Sequence, residues 1–348
     1  MARTRGRDRR PRILVVTRPD DEHAVAVALA LEEVGLRIVP VDLRALASHG
    51  LAIALRAGRP PGVVLRGGSG PVDPASCVAA WWRRPSTPEP PRRAGAGRRR
   101  LWDAEWTAAL RGLARVMPGR WVNDPGREEV ARLKLVQLEA ARAVGLDVPR
   151  TLVTNDLRAA RAFIGSCRSG AVLKSLSSVA EGGATRAASA RSAWLPARLA
   201  TGPAILQERL HGLDLRVTVV GRRLFAAVAD ARAGDSPTDV REGWWEAAAA
   251  GGPYRLPHDL ARRLLALTRR LGLLYAAIDL RRRSPGSGEW TFLEVNPGGQ
   301  WLHVEATTGH PITAALARLL AGPHAPRKVR PRAWTLATPI SPSSRTRP

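Results

Sequence analysis

Phe292-Leu293-Glu294-Val295-Asn296-Pro297 is the stretch on which the fold class turns. It is apolar enough for a buried strand, and Pro297 ends it. Alternation along a strand puts Glu294 and Asn296 on one face and leaves Leu293 and Val295 for the core. Upstream, Ile278-Asp279-Leu280 sets a carboxylate between two apolar residues on what reads as the neighbouring strand. Two carboxylates and an amide oxygen converging from adjacent strands suit Mg²⁺, a hard ion that takes oxygen ligands and shares them with phosphates. Strands with ordinary solvent-facing polar residues would carry the same letters.

Working outward, the basic residues are informative by type. Of 55 Lys and Arg, only Lys134, Lys174 and Lys328 are lysine, and Asn123, Asn155 and Asn296 are the only asparagines. A drift toward Arg, Ala, Gly and Pro, as in a GC-rich genome, explains the scarcity. Where Lys or Asn persists against it, Arg or Asp does not serve. Lys174 ends an apolar strand ahead of the Ser/Gly-rich stretch Ser175–Ala184, and Lys134 lies in the helix after Asn123. A lysine is a compact cation suited to phosphate oxygens, and the arginine fork does not replace it freely; a surviving surface lysine is the plain alternative. Leu206-Gln207-Glu208-Arg209-Leu210 reads as a strand running into an extended segment that can offer backbone groups to an adenine edge. Asp214 is placed to take ribose hydroxyls. A plain edge strand would look the same.

The remaining chain reads as a small α/β unit followed by a larger α+β body. Ile13–Thr17, the helix Ala24–Val34 stopped by Gly35, and Arg37–Val41 make a β-α-β start. Leu51–Arg56 and Val63–Arg66 suggest a hairpin, and Val78–Arg83 another strand. Ser86–Arg100, rich in Pro, Gly and Arg, reads as a loop before a helix over Leu101–Val116. Asn123-Asp124-Pro125 starts a helix running to about Val144. Strands follow at Thr151–Asn155, Ala171–Ser175, Ala204–Glu208, Leu215–Val220 and Leu224–Ala229, with Ser175–Ala184 as a lid. A helix (Pro257–Leu271), two strands (Leu274–Arg281, Trp290–Val295) and a helix (Pro311–Leu320) complete the body. The expected organisation is a basic tail (1–12), an N-terminal α/β domain (13–124), a central domain with the lid (125–203), a C-terminal domain with the metal residues (204–322) and a tail (323–348).

Composition narrows the function class. At 45% hydrophobic residues the 348-residue chain buries a sizeable core. No apolar run reaches the roughly 18 residues of a membrane span, and Ile13–Thr17 is too short for a secretory signal, so a cytoplasmic protein is expected. Cys77 and Cys167 lack paired spacing, against a disulfide framework or structural zinc. The net charge of +25 invites nucleic acid, but the clusters Arg3–Arg12, Arg92–Arg100 and Arg327–Arg332 sit in terminal or Pro/Gly-rich stretches. An acidic peptide or a nucleotide fits that charge equally well.

Together these stretches resemble the ATP-grasp superfamily over about Trp121–Leu320. They resemble in particular the ATP-grasp ligases that mature ribosomally made peptides, the graspetide or microviridin-type maturases. Trp82-Arg83-Arg84-Pro85, Arg120-Trp121-Val122-Asn123, Val148–Asp156, Asp214–Gly221 and Phe292–Trp301 carry that closer likeness. It departs where Ser175 follows the second lysine, usually followed by proline, and where Trp81 and Trp82 replace paired tyrosines. The resemblance implies an α/β N-terminal domain plus an α+β ATP-grasp fold, with ATP and two Mg²⁺ as cofactors. Lys134 and Lys174 would meet ATP phosphates, Gln207, Glu208, Arg209 and Leu210 adenine, and Asp214 the ribose. Asp279, Glu294 and Asn296 would hold magnesium, and Arg216 and Arg241 would steady phosphate or acyl-phosphate.

The activity so implied is ATP-dependent activation of Asp or Glu side chains of a ribosomal precursor peptide, closed as ester or amide rings. A precursor with a leader segment is then the partner, with no membrane or nucleic acid, and a homodimer is one assembly left open. A ligase joining a free carboxylate to an amine is the alternative within enzymes. An inactive nucleotide- or nucleic-acid-binding scaffold is the alternative outside them. No Ser-His-Asp or Cys-His constellation is evident, and His303 and His310 read as structural.

Overall fold

The computed structural model describes residues 10–67, 70–117, 119–177, 185–229, 252–283 and 289–324. Arg241, the stretch 178–184 of the expected lid and both tails, beyond 10–324, lie outside them. No helix among the described residues is long and apolar enough to cross a membrane.

The chain opens with β1 (Arg12–Val16), α1 (Glu22–Glu32) and β2 (Arg37–Val41), the expected β-α-β unit. Asp21 caps α1 by accepting from His23 N. After the four-residue α2 (Leu46–His49), β3 (Leu51–Ala54), β4 (Gly62–Gly67) and β5 (Gly70–Val72) form a separate antiparallel sheet. β6 (Ala79–Trp82), α3 (Ala96–Val116) and β7 (Trp121–Val122) follow, and β2-β1-β6-β7 make a parallel sheet. β1 is buried on both faces: Ile13 and Val15 enter one core, Leu14 and Val16 another. Helix α3 starts at Ala96, inside the expected Arg-rich loop; Arg98–Arg100 belong to its exposed first turns, where polarity is compatible with helix.

Next come α4 (Pro125–Ala131) and α5 (Lys134–Ala143), where one continuous helix was expected. No Gly or Pro marks the break. Its cause is tertiary: buried Gln137 donates to Ala131 O at 2.7 Å, and Leu133 takes extended geometry as the cap of α5. β8 (Thr151–Thr154), α6 (Leu157–Ser166), β9 (Ala171–Lys174), β10 (Arg186–Ala188), α7 (Leu195–Ala200) and β11 (Ala204–Glu208) build a sheet of order β10-β9-β11-β8. β11 is thus an interior strand, not an edge, and it joins this sheet rather than the C-terminal unit that a boundary at 203/204 would give it.

β12 (Asp214–Val220), β13 (Arg223–Ala229), β14 (Gly252–Pro253), α8 (His258–Arg270), β15 (Tyr275–Arg282) and β16 (Trp290–Asn296) contribute the largest sheet, β14-β13-β12-β15-β16. Its apolar face, with Val217, Ile278, Leu280 and Phe292, packs on α5 and α8 through Leu138, Leu264 and Leu267. The other face carries the polar row described below. α9 (Leu302–Thr308) and α10 (Ile312–Ala321) are the last α-helices among the described residues, and α10 packs against α1. Cores therefore cross the linear order: Ile13, Trp81 and Val122 share a cluster with Tyr275, Trp301 and Leu316. Arg120 ties the same seam by donating to the last carbonyls of α10, Leu319 O at 2.7 Å and Leu320 O, as a C-terminal cap would.

Candidate active site

The register of the large sheet assembles the site. Arg216 of β12 stands opposite Asp279 of β15, which stands opposite Glu294 of β16, so one row crosses three strands. Arg216 Nη1 lies 3.1 Å from Asp279 Oδ1, and Lys134 Nζ reaches Glu294 Oε2 at 2.9 Å. Asn296, two residues beyond Glu294, is exposed at the end of the strand, facing Ala277.

Strict alternation does not hold along β16. The register shifts between Asp279 and Leu280, leaving Leu293 as the extra residue of a bulge. Phe292 and Val295 are the residues buried in the core, while Leu293, expected there, is half-buried. A bulge re-aims side chains, and here it sets Glu294 opposite Asp279 without exposing Phe292.

Lys134 is the first residue of α5 rather than a mid-helix residue, and this adds a cation where the helix dipole is already positive. Such a corner favours an anion. The Lys134–Glu294 pair is partly open to solvent, at 23% and 31% side-chain exposure. A pair this exposed contributes only about 1 kcal/mol, so an incoming phosphate or cation can displace either partner. Lys174 ends β9 on another sheet, in register with Ile205.

The fit to a divalent cation follows from the donors. Asp279, Glu294 and Asn296 offer oxygen only, and Asn296 Oδ1, which accepts from Gly298 N at 3.1 Å, keeps a second lone pair. No group of three His, Cys, Asp or Glu that could hold a metal occurs among the described residues, so the set is two carboxylates and one amide. That is a hard-ion site. Burial, with the Arg216 guanidinium behind it, lowers His303 to about 3, too weak a base to take a proton at neutral pH. His310 places Nε2 3.0 Å from Ala226 O.

Around the row, several expected contacts are shared with protein partners. Both oxygens of Asp214 face the Arg281 fork, Nε at 2.7 Å and Nη2 at 2.9 Å, a bidentate pair that sequence reading did not foresee. Gln207 is buried and donates to Thr151 Oγ1 at 3.1 Å, with its backbone in the ladder on both sides. Glu208 lies 3.5 Å from Arg283, which also holds Asp147 at 2.8 Å. The structure therefore brings Lys134, Arg216, Asp279, Glu294 and Asn296 together, and sets Gln207–Asp214 from the end of β11 to the start of β12.

Behind the row the turn after Asn296 is anchored by residues from distant parts of the chain, of which Gln137 and Tyr275 were not singled out by sequence reading. Val295 O and N bond the two ends of the Gln137 amide, at 2.8 and 3.0 Å. Asn296 O accepts from Gly299 N at 3.2 Å. Pro297 O accepts from Asn123 at 3.1 Å, and Gly298 O and Gly299 O from Arg83 at 2.5 and 3.0 Å. Gly299 O also accepts from Tyr275 at 2.9 Å, and Gln300 O from Arg216 at 3.5 Å. Each carbonyl from Val295 to Gln300 is thereby held. Gly299 is obligatory: a Cβ there would sit 2.4 Å from that of Ala277.

Solved structures of similar architecture are informative. A RiPP-associated ATP-grasp ligase from Chryseobacterium gregarium, solved with ADP and a leader and core peptide, superposes with a TM-score of 0.79 over 92% of this chain and 100% of its own, at 21% identity. That likeness is one of fold. The macrocyclase MdnC of Microcystis aeruginosa MRC, bound with precursor peptide MdnA, gives 0.76 at 27% identity over 89% and 99% of the two chains. Macrocyclase MdnB of the same organism gives 0.75, also at 27%, over 90% and 99%. No protein-family model matches the chain, and no curated protein does. The chain has the ATP-grasp fold and resembles the ATP-grasp ligases of ribosomal peptides.

Proposed function

We propose that this ATP-grasp chain is a peptide-modifying ligase: it uses ATP to activate Asp or Glu side chains of a ribosomal precursor peptide and closes them onto hydroxyls or amines of the same peptide. The observation that carries the reading is the row Arg216–Asp279–Glu294, with Lys134 on Glu294 and Asn296 at its end. The likeness to MdnC, which was solved with its precursor peptide, supports a peptide substrate.

The first step joins a substrate carboxylate oxygen to the γ-phosphorus and breaks its bond to the β-γ bridging oxygen, releasing ADP. In the second, a hydroxyl or amine attacks the acyl carbon; the carbon–oxygen bond to phosphate breaks, the nucleophile loses its proton, and phosphate leaves. A carboxylate resists attack because of its charge and resonance, and phosphorylation removes both obstacles. Little covalent work falls to the protein, whose part is positioning and charge neutralisation.

Lys134 and Lys174 bind phosphate oxygens in this reading, Gln207–Leu210 line the adenine, and Asp214 orients the ribose together with Arg281. Arg216 lies beside the metal row, where it steadies the transferred phosphoryl group, and Arg241 is assigned the same duty. Asp279, Glu294 and Asn296 would hold Mg²⁺, two ions in this reading, which would neutralise phosphate charge when bound. Bulk solvent would hydrolyse an acyl-phosphate, so a leader segment docked away from the site serves to keep the core peptide at high effective concentration.

Hydroxylamine tests the reading. Added with ATP and a precursor peptide, it should trap hydroxamates on Asp or Glu side chains, one ADP per hydroxamate. ATP consumed with no hydroxamate on the peptide would contradict it.

A further inference from the structure

Among the described residues, one of the most completely buried charged side chains lies outside the polar row. Arg83 is 1% exposed, at the end of Trp81-Trp82-Arg83, and burial draws its pKa below the ordinary arginine value. A guanidinium at such a place remains charged, and a buried charge is tolerated only where partners meet it. Two of its three nitrogens are partnered, while Nη2 is buried without a hydrogen bond. Nε donates to Asp21 Oδ2 at 3.0 Å, and Nη1 to Gly298 O at 2.5 Å and Gly299 O at 3.0 Å. Its Cζ lies 5.1 Å from the centre of the Trp301 ring and 5.8 Å from that of the Trp81 ring. Burial raises Asp21, yet the Arg83 charge and the Thr17 hydroxyl outweigh it and hold the carboxyl below its ordinary value. Arg83 thus links the cap of α1 to a turn 215 residues away.

We infer that Arg83 is a positioning residue for Asn296, and through it for the bound cation; the inference rests on the metal-site reading above. Gly298 and Gly299 are consecutive glycines, the most permissive backbone available. Gly298 N must nevertheless point at Asn296 Oδ1, and Gly299 N at Asn296 O. The peptide between the two glycines carries Gly298 O and Gly299 N. With Gly298 O fixed on Arg83, that peptide cannot rotate and the turn stays closed on Asn296. Asn123 fixes the preceding peptide through Pro297 O. Arg83 is suited to the task because one planar fork meets an acid on one side and two carbonyls on the other. A lysine ammonium keeps the charge without that fork. Loss of groups that orient metal ligands typically weakens metal affinity about 10–100-fold.

The test is a double-mutant cycle on the full chain, read as Mn²⁺ affinity by electron paramagnetic resonance with ADP present. Arg83→Lys should weaken Mn²⁺ about tenfold or more in protein that melts as a folded chain. It should have no further effect when added to Asn296→Ala, because the residue it acts through is gone. A purely structural role would lower the folded fraction and leave the affinity of the folded molecules unchanged. Tyr275→Phe removes only the hydroxyl on Gly299 O, and takes the place of Arg83→Lys in the cycle if that variant does not fold. Wild-type Mn²⁺ affinity in the folded variant, or equal weakening with and without Asn296, overturns the inference. Wild-type affinity in Asn296→Ala itself overturns the metal-site reading instead.

Discussion

Asn123→Asp should be among the most damaging near-isosteric changes in this chain. Asn123 is 1% exposed and uses both ends of its amide. Its Oδ1 accepts from Leu274 N and Tyr275 N, both at 2.8 Å, and its Nδ2 donates to Tyr275 O at 2.9 Å and Pro297 O at 3.1 Å. A carboxylate keeps the first two bonds and turns the other two into oxygen–oxygen contacts. Leaving a buried carbonyl unsatisfied costs about 1–3 kcal/mol, so two cost roughly 2–6 kcal/mol. In thermal melts of a chain this long, that cost corresponds to a fall of the midpoint on the order of 3–8 °C. The penalty should depend on pH. Burial, with Glu128 Oε2 3.5 Å away, raises the folded-state pKa of the new carboxyl above its unfolded value. The folded state then binds the extra proton, stability falls as pH rises through that range, and the variant should lose more at pH 8 than at pH 5. The protonated form can also return one of the lost bonds. A variant that melts with the wild type at pH 8 would refute the reasoning, and with it the idea that asparagine persists here because aspartate cannot serve.

Glu294→Gln should abolish Mg²⁺-dependent ATP turnover while shifting metal-free stability by less than about 1 kcal/mol, since its pair with Lys134 is partly exposed; chemical denaturation and ADP release check the two halves. Lys134→Met and Lys174→Ala should each weaken binding of a non-hydrolysable ATP analogue about 10–100-fold in calorimetry, the range of a lost charge-assisted bond. His23 and His303 are lowered by burial from 6.5 to about 3. Only the unfolded chain takes up their protons between those values. Stability is therefore full above about pH 6.5 and falls as pH drops toward 3, and His23→Gln should flatten that slope in denaturant midpoints measured across pH.

What could be read from the sequence was local. Glu294, Asn296 and Asp279 were legible because strand alternation and an acid among apolar residues are short-range signals, and Lys134 because lysine is rare here. The bulge at Leu293 was not, since an inserted residue leaves the composition of the strand unchanged. Nor was the break between α4 and α5, which depends on Gln137 reaching Ala131 O and Val295 rather than on any helix-stopping residue. Tyr275, one of two tyrosines in the chain, and Arg83 bond the turn from far along the sequence, and no periodicity records such a contact. Arg281 was missed for a different reason: a residue type that makes up most of the basic set carries no signal by its presence. Arg83 lay in plain view within Trp82-Arg83-Arg84-Pro85, but only burial distinguishes it from its neighbour Arg84.

On the proposed function the chain links side chains within one peptide at the expense of ATP. That function is tested most directly by the mass of a short precursor, with an acidic, Thr/Ser-rich C-terminus and encoded beside this chain, after co-expression with the enzyme. One water should be lost per link, with one ATP converted to ADP and phosphate for each, and none should be lost with Glu294→Gln. A peptide of unchanged mass, or one that gains a free amino acid instead of losing water, would contradict the proposed function.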